Sequence, residues 1–201
     1  MKLQGPHVTI RPMQRADLGA MAGWRPFADP LYQPFEFPQR SLAEHYAWYD
    51  ERYTDPTRRL YSIVDEGERV IGSLTLREID GLYSARLGIT LGADYVSKGY
   101  GTEAMCLFLG YFFGTMGFAQ MVLDVAATNE RALRSYRSLG FRKVAEHYQP
   151  VNHSSFQLIL HDPRYHHLRR YFRNQGLSVQ LLFYDMALSR EEWLRLVPRP
   201  S

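Results

Sequence analysis

The chain has 201 residues, 45% of them hydrophobic and 22% charged, a composition that suits one soluble domain and excludes a disordered polymer. At this length a single core buries about 70% of the surface exposed by the unfolded chain, so neither disulfide nor metal is needed to hold it. The 24 Lys and Arg against 21 Asp and Glu leave a net charge of +3, too small to argue globally for nucleic acid.

Cys106, the only cysteine, sits in an apolar run and reads as a core residue of a reducing compartment. Met1 to Pro6 lacks the apolar core of a signal peptide, and the longest apolar stretch, Met105 to Phe118, is too short for a membrane span. A cytoplasmic protein with no membrane partner is the expectation.

His7 to Pro12 alternates polar and apolar residues as a half-buried strand does, and Leu18, Met21 and Ala22 follow at helical spacing. Between Trp24 and Arg40, prolines alternate with aromatics, which predicts an ordered loop of functional length. Ser41-Leu42-Ala43-Glu44 is a capping box opening a second helix that runs to about Tyr53. Leu60 to Val64 and Arg69 to Arg77 flank a turn at Asp65 to Glu68 and predict a hairpin, with a fourth strand from Ser84 to Leu91.

Thr102 to Met116 reads as an apolar helix closed by Gly117, Ala119 to Ala127 as a strand, and Asn129 to Leu139 as a helix stopped by Gly140. Three strand-like runs follow, Arg142 to Tyr148, Phe156 to Leu160 and Ser178 to Leu188. Between the last two, a helix is expected with Asp162 as cap, Pro163 in its first turn and Gly176 at its end. The order predicts one α/β (α+β) domain, a mixed sheet covered by helices.

Ser97-Lys98-Gly99-Tyr100-Gly101-Thr102 lies after a strand and opens a helix. Free amides and the helix dipole favour an anion there, and glycines let backbone approach it closely. The motif lacks the ending of a P-loop, and alone it is equally a plain helix entry. The second segment, Asn129-Glu130-Arg131-Ala132-Leu133-Arg134-Ser135-Tyr136 through Gly140-Phe141, follows a strand at the expected interval.

Together the two segments resemble the GNAT superfamily of N-acetyltransferases, in particular the branch that acetylates ribosomal-protein N-termini. The resemblance runs from Val8 to about Phe141 and resumes from Tyr184-Asp185-Met186 to Trp193. It implies a mostly antiparallel sheet of about seven strands, splayed between strands four and five, with a basic helical insertion at about 150–177. It also implies acetyl-CoA as co-substrate, with no metal. Its pyrophosphate would lie on Ser97, Lys98, Gly99, Tyr100, Gly101 and Thr102, next to Val96, where relatives carry Gln or Arg. Its pantetheine would pair with Ile89, Thr90 and Leu91, beside Gly88, on strand four, and Asn129 and Arg131 would complete the cofactor side.

By the same resemblance Tyr136 is the acid that protonates the departing thiolate, although a tyrosine there also packs a helix on a sheet. Relatives carry a glutamate where this chain has Arg86, which accepts no proton, so Glu78 or Asp80 is the substitute base and Arg86 is assigned to the acceptor side. That loss favours a weakly basic amine, such as an α-amine. Trp24 and Phe35, with Glu36, Phe37 and Trp48, are the candidate acceptor pocket, though aromatics also serve the core. The acceptor is a small-molecule amine or a protein N-terminus.

His161 to Arg173 holds four arginines and three histidines against one aspartate. It reads first as a solvated face, then as a site for RNA or acidic protein. Adjacent His166 and His167 cannot share a helix face, which argues against metal. A homodimer through this region, and an acyl-CoA-binding sensor permitted by Arg86, are the alternatives that the sequence leaves open.

Overall fold

The structure, a computed structural model, describes residues 1–151, 154–175 and 178–196. The elements are β1 (Leu3–Gln4), β2 (Val8–Pro12), α1 (Asp17–Ala22), α2 (Leu42–Tyr53), β3 (Arg59–Asp65), β4 (Val70–Asp80), β5 (Ser84–Leu91) and α3 (Tyr100–Gly110). They continue with β6 (Gln120–Ala126), α4 (Glu130–Ser138), β7 (Arg142–Pro150), α5 (Ser154–His161), β8 (Phe172–Gln175), β9 (Ser178–Ser189) and α6 (Arg190–Leu196). A π turn over Tyr111–Thr115 prolongs α3.

The described strands form one sheet in the order β1-β2-β3-β4-β5-β6-β9-β7, with β8 also on β9. All pairs are antiparallel except β5 with β6. The expected seven strands become nine through the short β1 and β8. The one parallel pair is brief: Ser84, Ala85 and Arg86 face Gln120, Met121 and Val122, and from Leu87 onward β5 has β4 alone beside it. The sheet therefore splits open along the last half of β5.

Alternation decides which face each strand buries. Leu74, Leu76, Ala85, Leu87, Met121, Leu123 and Val125 join Ala104, Met105, Phe108 and Phe112 of the α3 segment and Leu133 of α4 in the main core. Helices α1 and α2 close a second core on the opposite face, with Leu18, Met21, Phe37, Tyr49, Leu60 and Val64. The capping box of α2 forms as expected: Glu44 N donates to Ser41 Oγ at 3.3 Å, and Ser41 N donates to the Glu44 carboxylate at 2.9 Å. At the start of α1 the buried Asp17 accepts from Arg11 at 2.7 and 2.8 Å, from Ser62 at 2.7 Å and from the Gln14 amide at 2.8 Å.

The segment between β7 and β9 departs from expectation. Phe156 to Leu160 lies in helix α5, because Phe156 and Ile159, three apart, both face a third core with Leu31, Ala126, Leu168 and Leu181. Asp162 does cap the next helix, accepting from the Arg164 amide, but that helix is 3-10 over Pro163–Tyr171, and Phe172 already belongs to β8. Gly176, expected to end it, lies outside the described residues. Cys106 is exposed, one residue and about 100° round the helix from fully buried Met105, so the core reading for it is wrong. Among the described residues no helix is long and apolar enough to cross a membrane.

Candidate active site

The split in the sheet opens into a cavity of about 460 Å³. Ile89, Thr90 and Leu91 of β5 form one wall, and Val96, Ser97, Gly99, Gly101 and Thr102 form its α3 end. Asn129, Arg131, Ala132, Arg134, Ser135, Tyr136 and Ser138 of α4 form the other wall, with Phe27 and Phe35 from the proline-rich loop.

At the α3 end the backbone turns twice through the left-handed region, at Ser97 (φ 61°) and Gly99 (φ 87°), the N-cap of α3. Such a curl before a helix gathers amides into an anion-binding concavity. A Cβ built at Gly99 meets nothing within 4 Å, so the surface there is bare backbone. Glu103, the acid of the first turn, is turned away, accepting from the amides of His7 at 2.8 Å and Val8 at 3.1 Å. Among the described residues no side chain caps the α3 N-terminus. At Gly101 a Cβ would lie 3.0 Å from Leu91 Cδ1, so glycine lets α3 close on β5. Thr102 Oγ1 and Ser135 Oγ, 2.9 Å apart, tie the two helices together. This end fits a diphosphate held by backbone, the arm of CoA that the motif implied.

Asn129 caps α4, accepting from the Ala132 amide at 3.2 Å. Tyr136 is 9% exposed and faces the cavity; burial pushes its phenol pKa well above the ordinary value, and the charge of Asp124 adds to the rise. Such a phenol keeps its proton at any working pH. The Arg131 guanidinium lies 4.2 Å from the Tyr32 ring centre and 5.3 Å from that of Phe27. Burial lowers its pKa, against the opposing pull of Tyr32 and Asp29.

Other expected site residues stand elsewhere. Lys98 and Tyr100 are not in the cavity wall, whose α3 end is made by Val96, Ser97, Gly99, Gly101 and Thr102. Trp24 is not in this cavity wall: it donates to the Val70 carbonyl at 3.1 Å, packs edge-on against Phe37, and with Glu36 and Phe37 lines a second, small cleft beside Leu91 and Gly92. Glu78 and Arg86 are also outside the wall, paired with each other at 2.7 Å. Both Glu78 oxygens are thereby engaged by guanidinium groups, Oε2 by Arg86 and Oε1 by Arg77 at 3.5 Å, in a left-handed conformation (φ 54°) at the irregularity between Arg77 and Asp80. Arg86 additionally reaches Asp185 at 3.0 Å. Burial works to lower the Arg86 pKa, but the bonds to Glu78 and Asp185 outweigh it and raise it.

Sequence reasoning passed over Phe27 and Ser135 as cavity residues, and Asp124 as the charge felt by Tyr136. A signal existed for Asp124: it is the polar position of an otherwise apolar alternation, Met121-Leu123-Val125. Among the described residues no group of three or more His, Cys, Asp or Glu is arranged to hold a metal.

Residues 7–142 match the family model described as "Acetyltransferase (GNAT) domain". The spermidine N(1)-acetyltransferase of Escherichia coli K12 is 30% identical over 135 residues, 67% of this chain and 72% of that protein. Among solved structures, the Vibrio cholerae spermidine N-acetyltransferase in complex with CoA and spermine superposes with a TM-score of 0.68 at 20% identity, over 94% of this chain and 99% of that one. A GNAT-family acetyltransferase from Bacillus anthracis gives 0.68 at 15% identity, over 96% and 100%. The chain belongs to the GNAT acetyltransferase family. It is an acetyl-CoA-dependent N-acetyltransferase acting on an amine. The Escherichia coli and Vibrio cholerae relatives are spermidine enzymes, not specifically members of the ribosomal-protein branch that the motif pair resembles.

Proposed function

We propose that this enzyme acetylates a primary amine of a small, cationic di- or polyamine, by direct attack within a ternary complex. The observation that carries the acceptor class is the 30% identity to a spermidine N(1)-acetyltransferase over 72% of that protein's length. The cofactor arm rests on the curled amides of Ser97 to Thr102, and the thioester end reaches Ile89, Thr90 and Tyr136. Acetyl-CoA supplies an activated acyl group whose carbonyl carbon an amine can attack.

Backbone amides on the open edge of β5, near Ile89, polarise that carbonyl. Tyr136 delivers a proton to sulfur as the C–S bond breaks and recovers one from the nitrogen, which has a proton to lose once the C–N bond forms. Phe27, Phe35 and Arg131 line the approach. Holding both substrates in one cleft supplies the proximity on which direct transfer depends.

The test is a CoA-release assay with spermidine, spermine and short diamines set against alanine-initiated and serine-initiated peptides. Turnover on the polyamines with little on the peptides is expected. Turnover confined to peptides would overturn the reading and favour a protein N-terminus.

A further inference from the structure

On the sheet face away from α3 and α4, five strands place charged groups in a single cluster: Arg77 and Glu78 of β4, Arg86 of β5, Asp124 of β6, Asp185 of β9 and His147 of β7. Arg86 bonds Glu78 at 2.7 Å and Asp185 at 3.0 Å and lies 3.4 Å from Asp124; Arg77 bonds Asp124 as well. Asp185 accepts from or donates to His147 Nδ1 at 2.9 Å according to their protonation. With His147 neutral, three carboxylates face two guanidinium groups, and one negative charge is left uncompensated.

Asp124 and Asp185 stand directly opposite each other across the β6–β9 pair. Like charges in that relation destabilise a sheet unless a counter-charge sits between them. Arg86 Nη1 does so, but it meets only one oxygen of each. Asp124 uses Oδ1 for both arginines, and no described residue bonds its Oδ2. The place of this oxygen matters. Val122 is the last β6 residue paired with β5, so Asp124, the next residue on the same face, stands where the split begins. It is outside the cavity wall formed with α4 and meets the split from the opposite sheet face, its side chain 20% exposed. Its charge is felt at the Tyr136 phenol, on the far side of that split.

We propose, resting on the acceptor reading above, that Asp124 is the amine-side catalytic residue: its free oxygen binds the acceptor's ammonium and removes one proton from it. This replaces the base lost where Arg86 stands. The ammonium N–H bond breaks toward Asp124, giving a carboxylic acid and a neutral amine. The amine attacks the thioester carbon; the C–N bond forms and the C–S bond breaks. A second nitrogen proton reaches the sulfur by way of Tyr136, and Asp124 returns its own proton to water. Arg77, Arg86 and Asp185 position the Asp124 carboxylate.

The experiment compares wild type with Asp124→Asn and Asp185→Asn, measuring acetyl-CoA-dependent turnover of spermidine, calorimetric binding of spermidine to the CoA-saturated protein, and CoA affinity alone. Asp124→Asn is expected to lose about 100-fold in kcat/KM, with CoA affinity unchanged. Asp185→Asn leaves the arginine bonds of Asp124 in place but cancels the excess charge, so spermidine affinity should fall about tenfold with a smaller change in kcat. If Asp124→Asn does not fold, this second variant decides. A folded, CoA-binding Asp124→Asn with wild-type kcat/KM, or an Asp185→Asn with wild-type spermidine affinity, overturns the assignment while leaving the polyamine reading intact. A wild type that acetylates no di- or polyamine removes both.

Discussion

Replacing Gly99 separates backbone strain from electrostatics at the α3 end of the cleft. Gly99 holds φ 87°, and a Cβ there meets no atom within 4 Å. Gly99→Ala should therefore cost only the conformational penalty of a left-handed residue, about 1–2 kcal/mol, with no clash. Gly99→Asp carries the same penalty, but its carboxylate lies at the N-terminus of α3 and regains about 0.3–1 kcal/mol from the helix dipole. In the free protein the aspartate variant should be at least as stable as the alanine variant. With CoA the order reverses. A carboxylate about 4 Å from a phosphate charge costs about 4 kcal/mol at an effective dielectric constant near 20, or about a thousandfold in affinity. Calorimetric titration with CoA, beside melting curves of the three proteins, reads both quantities. If the aspartate variant binds CoA as well as the alanine variant does, the phosphates do not rest on this loop.

Tyr136→Phe keeps the ring that packs on Phe141, with centroids 6.0 Å apart, and removes only the hydroxyl. Turnover should fall about 100-fold with CoA affinity held, and unchanged turnover would remove the acid role. Asp17→Asn breaks a buried bidentate pair and should cost about 3 kcal/mol, read as a lowered urea midpoint. Desolvation works to raise the pKa of Asp17, but its bonds from Arg11, Ser62 and the Gln14 amide prevail and lower it. A carboxylate lowered on folding adds stability that is complete above the ordinary carboxylate range and is lost as pH falls through the folded value. The acid limb of a stability profile should therefore flatten in Asp17→Asn.

The sequence was most legible where one periodicity had no rival. Alternation in Met121-Leu123-Val125, the Ser41 capping box and the glycines after Ser97 each point to one local structure, and the elements from β2 to α4 follow from them. Phe156 to Leu160 was not legible, because a five-residue apolar run suits a buried strand and a helix turn alike, and contacts with Leu31, Leu168 and Leu181 decide between them. Trp24 reads as pocket lining by residue type, and it does line a small cleft with Glu36 and Phe37; its indole hydrogen bond to Val70 is a tertiary fact no local pattern announces. Arg86 read as a missing base. Only the register of β4, β5, β6 and β9 reveals how many carboxylates one guanidinium gathers.

The order of the last strands bears on assembly. Because β9 lies between β6 and β7, two strands made earlier in translation wait for the same late partner, each with an unfilled row of backbone donors and acceptors in the meantime. Their pairing spans long stretches of chain, the kind of contact that slows folding. Asp124 and Asp185 meet only through the β6–β9 pairing, so the charge cluster around Arg86 is complete only once the last strand of the sheet is in place.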